Sequence, residues 1–433
     1  MNQAERYDVV VVGGGSAGLA AALAAAERGA RTLLVERGPA LGGNAAHALV
    51  HTFCGLYLSA EAGDAVPANP GLPQRFARAL ARAGGAAAPE RAGRVWVLPT
   101  FPPALERFAA RACDAQPGLD VHTRCAVVGA ALVAGPHETS LLELARGAAR
   151  ERVTARIVID ATGDANLGAL CGARLGEAPA ERLQAPSFIF RVRGADTAAL
   201  AGFGRLQISV AVAGAARRGA LPPGCESVLV RPGADPGEAY VTLNLPRLEG
   251  RPYEPLDEDY LHALGARSRK WAEAVVALLR EARPGFERCE IAAFPRRVGV
   301  RETRTVMGSV VLERDDVLAG RRRDDEVALS SWPIELWHDH TRAVFEHPVA
   351  ACGVPLGALV SASHPNLGMA GRCLSATHEA LGALRVIGTA LATGEAIGVA
   401  AALAADTDLA LAEVAPGRVR QEIDRLAGGS TLG

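Results

Sequence analysis

The chain has 433 residues, 49% hydrophobic and 21% charged, with a formal net charge of −1. A chain of this length buries a large core and folds as more than one domain, and its near-neutrality argues against nucleic acid or an anionic membrane as a partner. Its eight cysteines form no C-x-x-C pair, which argues against an iron–sulfur cluster, a structural zinc site and a redox dithiol, so no metal is expected and the thiols read as reduced packing residues of a cytoplasmic protein.

The first element begins almost at the N-terminus, leaving no room for a cleavable signal. Residues 8–36, DVVVVGGGSAGLAAALAAAERGARTLLVE, read as a strand, a glycine turn, an alanine-rich helix and a second strand ending on an acid. That is the pattern of a dinucleotide-binding βαβ unit. Gly13 permits the tight turn, Gly15 lets backbone approach a pyrophosphate and Gly18 lets helix pack on strand, while free N–H groups at Ser16 and Ala17 face the phosphates. Glu36 stands where a carboxylate accepts from ribose hydroxyls, which disfavours a 2′-phosphate and hence NADP. Arg37 is followed by Gly42, Gly43 and Asn44. A second glycine pair suits FAD, along whose extended pyrophosphate and ribityl stretch the chain must pass closely. His47, His51 and Cys54 follow, where the chain should run beside the isoalloxazine. A histidine there could take a substrate proton, or either residue type could carry the flavin covalently, an option weighed against ordinary packing.

Residues 61–99 read as a loop and helix excursion, with Pro/Gly-rich 63–73 near the cleft. Residues 119–128 read as one strand, with Cys125 beside the adenine. Residues 155–173 contain a buried strand at 157–159 and a small-residue turn, Ala161, Thr162, Gly163 and Asp164, where backbone can come near a ligand. Further on, strands are expected at 187–192, 206–212, 227–230 and 239–245, a loop at 221–224, and a helix over 259–283 with Leu261, Leu264, Trp271, Val275 and Leu278 near one face. In RVGVRETRTV, alternation puts Arg301 and Thr303 on one face and Glu302 and Arg304 on the other. Trp332 and Trp337 read as a cavity wall or as core aromatics.

Near the C-terminus, Gly371 and Arg372 are expected at the flavin. A helix over 375–391 places His378 and Arg385 on one face, His378 as acid or base and Arg385 either as a bidentate carboxylate binder or paired with Glu379 or Glu302 across the domains. Gly394 and Glu395 read as preceding a helix of small residues, with Ala396 and Ile397 at its positive end near flavin N1 and O2. The uncharged stretch 9–26 is explained by its glycine turn, and Arg385 and Glu395 interrupt 381–405, so neither reads as a membrane span. No second G-x-G-x-x-G follows a strand, so no separate NAD(P)H domain is expected.

Three segments together carry a resemblance: the N-terminal GGGSAG with its following GG, the internal IDATGD, and NLGMAGRCLSATHEALGALRVIGTALATGEAIGVAAAL near the C-terminus. With these, the chain resembles the FAD-dependent oxidoreductase family within the broad glutathione-reductase-like flavoprotein class. Residues 186–350 match more loosely. The resemblance implies FAD binding and redox chemistry, and leaves the substrate open.

The reading is an α/β protein: a Rossmann-like FAD-binding domain built from residues 1–60, 100–176 and 353–433, with an inserted α+β substrate or cap domain at 177–352. The expected activity is two-electron oxidation of a small organic substrate by hydride transfer to flavin N5, with dioxygen, a quinone or a protein as electron acceptor and oligomeric state open. The alternatives are a flavin monooxygenase and, from another class, an electron-transfer subunit without a small-molecule substrate. The long insert argues against a bare carrier, which needs no roof over its flavin.

Overall fold

The computed structural model describes residues 4–59, 63–135 and 137–427. Residues 1–3, 60–62, 136 and 428–433, which belong to segments of the expected domains, lie outside the described residues.

The chain opens with strand β1 (Glu5–Val12), helix α1 (Ser16–Glu27) and strand β2 (Thr32–Val35). The valine run of β1 is buried on both faces, as a parallel strand between helix layers must be. Helix α1 is buried from Ala17 to Ala26. Small residues around Leu19 and Leu23 let neighbours cover the helix on every side, which is why the segment lacks an amphipathic stripe. After the short helix α2 (Gly43–His47) and helix α3 (Leu72–Arg82) come strands β3 (Leu119–His122), β4 (Ala126–Ala131), β5 (Ser140–Arg146) and β6 (Ala149–Asp160), then helix α4 (Asn166–Leu170). The single strand expected over 119–128 is thus two strands, broken by a turn in which Arg124 takes φ +51°.

The insert contributes β7 (Ser187–Arg193), helix α5 (Gly204–Arg217), β8 (Val228–Pro232), β9 (Glu238–Asn244), helix α6 (Glu258–Ala282) and β10 (Glu290–Ala293). Its antiparallel sheet runs in the order β8-β9-β7-β10. The strand expected at 206–212 is instead part of α5. Ile208, Val212 and Ala215, spaced four and three apart, are its buried face, while Leu206 and Val210 are exposed, so helical periodicity overrode the β-branched composition. The separate core of this region runs from Leu183 to Val298. Leu312, Val317, Val327 and Ile334, which also fall within 177–352, pack into the main core with α1.

The chain then returns through β11 (Ile334–Trp337) and β12 (Leu367–Met369) to helices α7 (His378–Leu384) and α8 (Ile387–Thr407). The central sheet has the order β3-β2-β1-β6-β5-β4, and β12 pairs in parallel with the last residues of β6. Strands β1, β2 and β3 are parallel, with Val12 beside Val35 and Asp160. All their C-terminal ends therefore open on one edge, where ligands of doubly wound sheets bind. The mixed α/β fold with a Rossmann-like sheet is the one expected.

Two expectations for the C-terminus are corrected. The helix expected over 375–391 is broken, because Val386 is extended (ψ 155°) between α7 and α8. Gly394 and Glu395 lie inside α8 and do not precede it. A Cβ on Gly394 would stand 2.2 Å from the Ala17 carbonyl oxygen, and one on Gly398 2.3 Å from that of Ala21. These glycines let α8 press against α1. By length and composition α8 could cross a membrane, yet every residue from Gly388 to Ala404 is buried, as in a core helix.

Glu395 is 2% exposed and accepts from the Leu72 N–H at 2.7 Å, capping α3 from another helix. Burial pushes its carboxyl up to about 7, against the smaller opposing effects of the Leu72 hydrogen bond and Arg75. The folded value lies above the unfolded one, so this contribution is full below roughly pH 4.3 and is lost as pH rises through about 7. Glu395→Gln, which keeps an acceptor and never ionises, is expected to gain up to roughly 3 kcal/mol over the wild type above pH 7 and little near pH 4.5. Urea midpoints at the two pH values measure this, and parallel curves would refute it.

Candidate functional site

The glycine turn after β1 is dictated by contact. Gly13 has φ +106°, and a Cβ there would lie 2.5 Å from the Ala161 oxygen. Gly18 faces the Gly13 oxygen at 1.8 Å from its own would-be Cβ, the close helix–strand approach expected of it. Helix α1 starts at Gly15 with no side chain capping it, so the first N–H groups of the helix are left for a ligand, at the positive end of its dipole.

Glu36, nearly buried, closes the turn. Its Oε2 accepts from the Gly14 N–H at 2.7 Å and its Oε1 from the Gly38 N–H at 2.6 Å. Each oxygen keeps a second lone pair for a ribose hydroxyl. Beside it the Cys125 N–H donates to the Glu36 carbonyl at 3.0 Å. Cys125, Ala126 and Val127 make the wall at this end of a cleft that also takes in Gly13, Gly15, Ser16, Ala17, Glu36 and Arg37.

The second wall is the turn after β6, organised by Asp160, which is fully buried. Its Oδ1 accepts from the Thr162 N–H at 3.0 Å and hydroxyl at 2.7 Å, and its Oδ2 from the Gly168 N–H at 2.9 Å. The Cys373 thiol is 3.4 Å away. Thr162 and Gly163 are thereby held along the cleft, with Ala161. Asp164 turns out of it, meeting Arg372 at 3.1 Å and the Thr303 hydroxyl at 3.1 Å.

The middle of the cleft is lined by Gly43 and Asn44 on one side and Arg372 and Arg297 on the other. Gly42 sits just behind as the left-handed cap of α2 (φ 107°), its N–H donating to the Gly14 oxygen at 2.8 Å. Asn44 Nδ2 and an Arg372 Nη both donate to the Val300 carbonyl. Residues 297–304 therefore cross the cleft and tie the insert to the sheet. Arg297 Nη2 reaches within 3.6 Å of the Cβ position on Gly43. Its guanidinium is open to the cleft yet ringed by protein, and burial and the neighbouring Arg372 push it below the usual arginine range. Among the described residues it has no carboxylate within ion-pair distance.

At the far end stand Gly371, Arg385, Ile387 and Ala390. Ile387 is the first residue of α8, whose N-cap Val386 offers no side-chain cap. The positive helix end expected near the cleft is thus at Ile387. Glu395, Ala396 and Ile397 lie two turns or more further on, with Glu395 directed at α3 and Ile397 packed on Gly368, so none of the three reaches the cleft.

These features fit FAD. The Gly15 and Gly43 backbones approach so closely that a Cβ on Gly43 would lie 2.7 Å from Gly15 Cα, an uncapped helix end and an unpaired arginine await a diphosphate, and a carboxylate awaits a ribose.

The expected catalytic residues are dispersed. Arg385 lines the cleft. His378 does not; its Nδ1 lies 2.7 Å from Glu302 Oε1, at the seam between α7 and residues 297–304. His51 is buried, stacked on Tyr240 at 4.7 Å, with Nδ1 3.2 Å from the Leu49 oxygen. Burial, with Arg231 nearby, lowers it to about 3, which leaves a neutral ring of little basicity. His47 is also pushed down by burial and by Arg297, and its Nε2 is 4.0 Å from Glu106. Cys54 packs with Val95, Val97, Trp332 and Val386, and burial raises its thiol to about 12. It should resist alkylation of the native protein at pH 8, since the thiolate is the reacting form; mass spectrometry after iodoacetamide tests this, and rapid labelling of Cys54 would contradict it. Trp332 is a core residue and Trp337 lies under Arg301 at 4.8 Å.

Arg297, Asn166 and Ile387 line the cleft without having been singled out by sequence. The second glycine pair marked where a partner had to approach; nothing local marked Arg297 as that partner.

A family model described as FAD dependent oxidoreductase matches residues 8–423. NADH:fumarate oxidoreductase of Klebsiella pneumoniae (strain 342) is 63% identical over 38 residues, 9% of this chain and 4% of that protein's length. Among solved structures, chromopyrrolic acid-soaked RebC with bound 7-carboxy-K252c aligns with a TM-score of 0.50 at 14% identity, covering 98% of this chain and 67% of that one. A geranylgeranyl bacteriochlorophyll reductase-like protein of Thermoplasma acidophilum aligns at 0.44 and 16% identity, covering 99% and 94%. At such identities the likeness to RebC is one of fold.

Proposed function

Because the chain belongs to the FAD-dependent oxidoreductase family and is thus a flavoenzyme, we propose that it oxidises a small organic substrate by two electrons at the Arg385 and Ile387 end of its cleft, as a dehydrogenase or oxidase of the glutathione-reductase-like class. The observation that carries this is the cleft's polarity along its length: an acid and a backbone wall at one end, cations in the middle and a positive helix terminus at the other. FAD, when bound, supplies the two-electron acceptor, its N5 taking a hydride.

The residues of the chain do the rest. Glu36 holds the ribose hydroxyls, and Cys125 to Val127 offer backbone to the adenine. The N–H groups at Ser16 and Ala17, with Arg297, offset the diphosphate. The α8 N-terminus favours negative charge at the cleft's far end. The insert and residues 297–304 limit water there.

Among the described residues no histidine lines the cleft, and His51 is too weakly basic to hold a proton near neutral pH. As the C–H bond of an alcohol or amine gives up its hydride, the adjacent hydroxyl or amine would then lose its proton to water. Anaerobic bleaching of the flavin by a panel of amines, alcohols and saturated acids tests the reading. Bleaching by NADPH alone, followed by peroxide on admitting air, would instead favour the flavin monooxygenase.

A further inference from the structure

Behind the far end of the cleft lies a polar group that FAD binding does not use. Arg385, which lines the cleft, donates through Nη2 to Gln184 Oε1 at 3.2 Å and to the Glu335 carbonyl at 3.2 Å. Its Nη2 is 3.9 Å from Glu335 Oε1. Glu335 is already engaged by the indoles of Trp337 (2.7 Å) and Trp332 (3.1 Å); although burial works against it, Arg385 and the Trp337 indole hold its carboxylate below the usual range. Arg301 stands next to this pair, over the Trp337 ring, donating to the Ala185 carbonyl and to Asn244 Oδ1 at 2.6 Å. Burial, then repulsion from Arg385, pushes its guanidinium down to about 9.

Within the group the two guanidiniums face the one carboxylate of Glu335, while Glu302, whose Oε2 accepts from the Gln184 N–H at 3.3 Å, is bonded to His378 rather than to either arginine. Among the described residues, two buried donors of the group have no partner, Arg385 Nε and Gln184 Nε2. An uncompensated buried cation and orphaned donors are each costly, and an anion entering from the cleft would relieve both. We propose that Arg385 and Gln184, backed by Arg301, form a carboxylate-binding subsite, so that the substrate is a small organic acid anion. This rests on the oxidoreductase reading of the same cleft.

The test is a titration of the oxidised holoenzyme with benzoate and, separately, with its neutral isostere benzamide, followed by the flavin absorbance difference spectrum. Benzoate should give a saturable change at roughly tenfold or more lower concentration than benzamide, and Arg385→Gln should abolish that preference while retaining FAD. Equal response to the two, no response to either, or a preference surviving in Arg385→Gln would overturn the subsite. Should Arg385→Gln fail to hold FAD, the same titration of Arg301→Gln, expected to weaken the preference, and the wild-type comparison still decide the matter. Failure of the oxidoreductase reading would show separately, as a flavin that no substrate bleaches even though benzoate is preferred.

Discussion

Gly15→Ala is expected to fold normally and to lose FAD. Gly15 has an extended backbone (φ −76°, ψ −175°) that alanine adopts freely, and the added Cβ would meet only Gly43 Cα, at 3.8 Å. Nothing in the protein resists it. The methyl group would instead stand in the open space of the cleft, against the uncapped end of α1, where a diphosphate has to come within hydrogen-bond distance of backbone. A weakening of FAD binding by roughly 100-fold, about 2.7 kcal/mol, should accompany a melting temperature within a few degrees of the wild type. Fluorescence titration of the apoprotein measures the first and calorimetry the second. Gly13→Ala gives the contrast: with φ +106° and a Cβ 2.5 Å from the Ala161 oxygen, it should fail to fold. Unchanged FAD affinity in Gly15→Ala would place the diphosphate elsewhere.

Asp160→Ala is expected to damage both stability and cofactor binding. The fully buried carboxylate accepts from two N–H groups and a hydroxyl, and its removal strands them in a core position between β1 and β12. At about 1–3 kcal/mol for each of the stranded donors, partly offset by local relaxation, the loss should fall at the lower end of the sum, roughly 3–5 kcal/mol. Because the same bonds hold Thr162 and Gly163 against the cleft, the variant should also release FAD in conditions where it remains folded. Urea unfolding with and without added FAD separates the two effects. A midpoint within experimental scatter of the wild type would contradict the role given to Asp160.

What was legible in the sequence was local. Gly13, Gly15, Gly18 and Glu36 lie within one βαβ unit, so spacing alone puts them at one turn; the small-residue turn after β6 is equally self-contained. What failed depended on distant neighbours. The break at Val386 has no proline to announce it, and Gly388 two residues on lies inside α8 and does not mark a helix end. The reading of Glu395 as a residue at a helix start failed because Gly394 suggested a boundary, whereas its missing side chain admits the Ala17 carbonyl. Arg297 became a cleft residue only through the approach of residues 297–304 to Gly43, and His51 lost its basicity through burial against Tyr240. In each case the deciding partner lies far away in the chain.

The most direct measurement is the titration of apoprotein with FAD and with FMN. The account predicts one FAD per chain and an FMN affinity lower by roughly 100-fold, since FMN brings no adenosine for Glu36 and the Cys125 to Val127 wall to hold. Equal affinity for the two flavins, or no uptake of FAD, would contradict it.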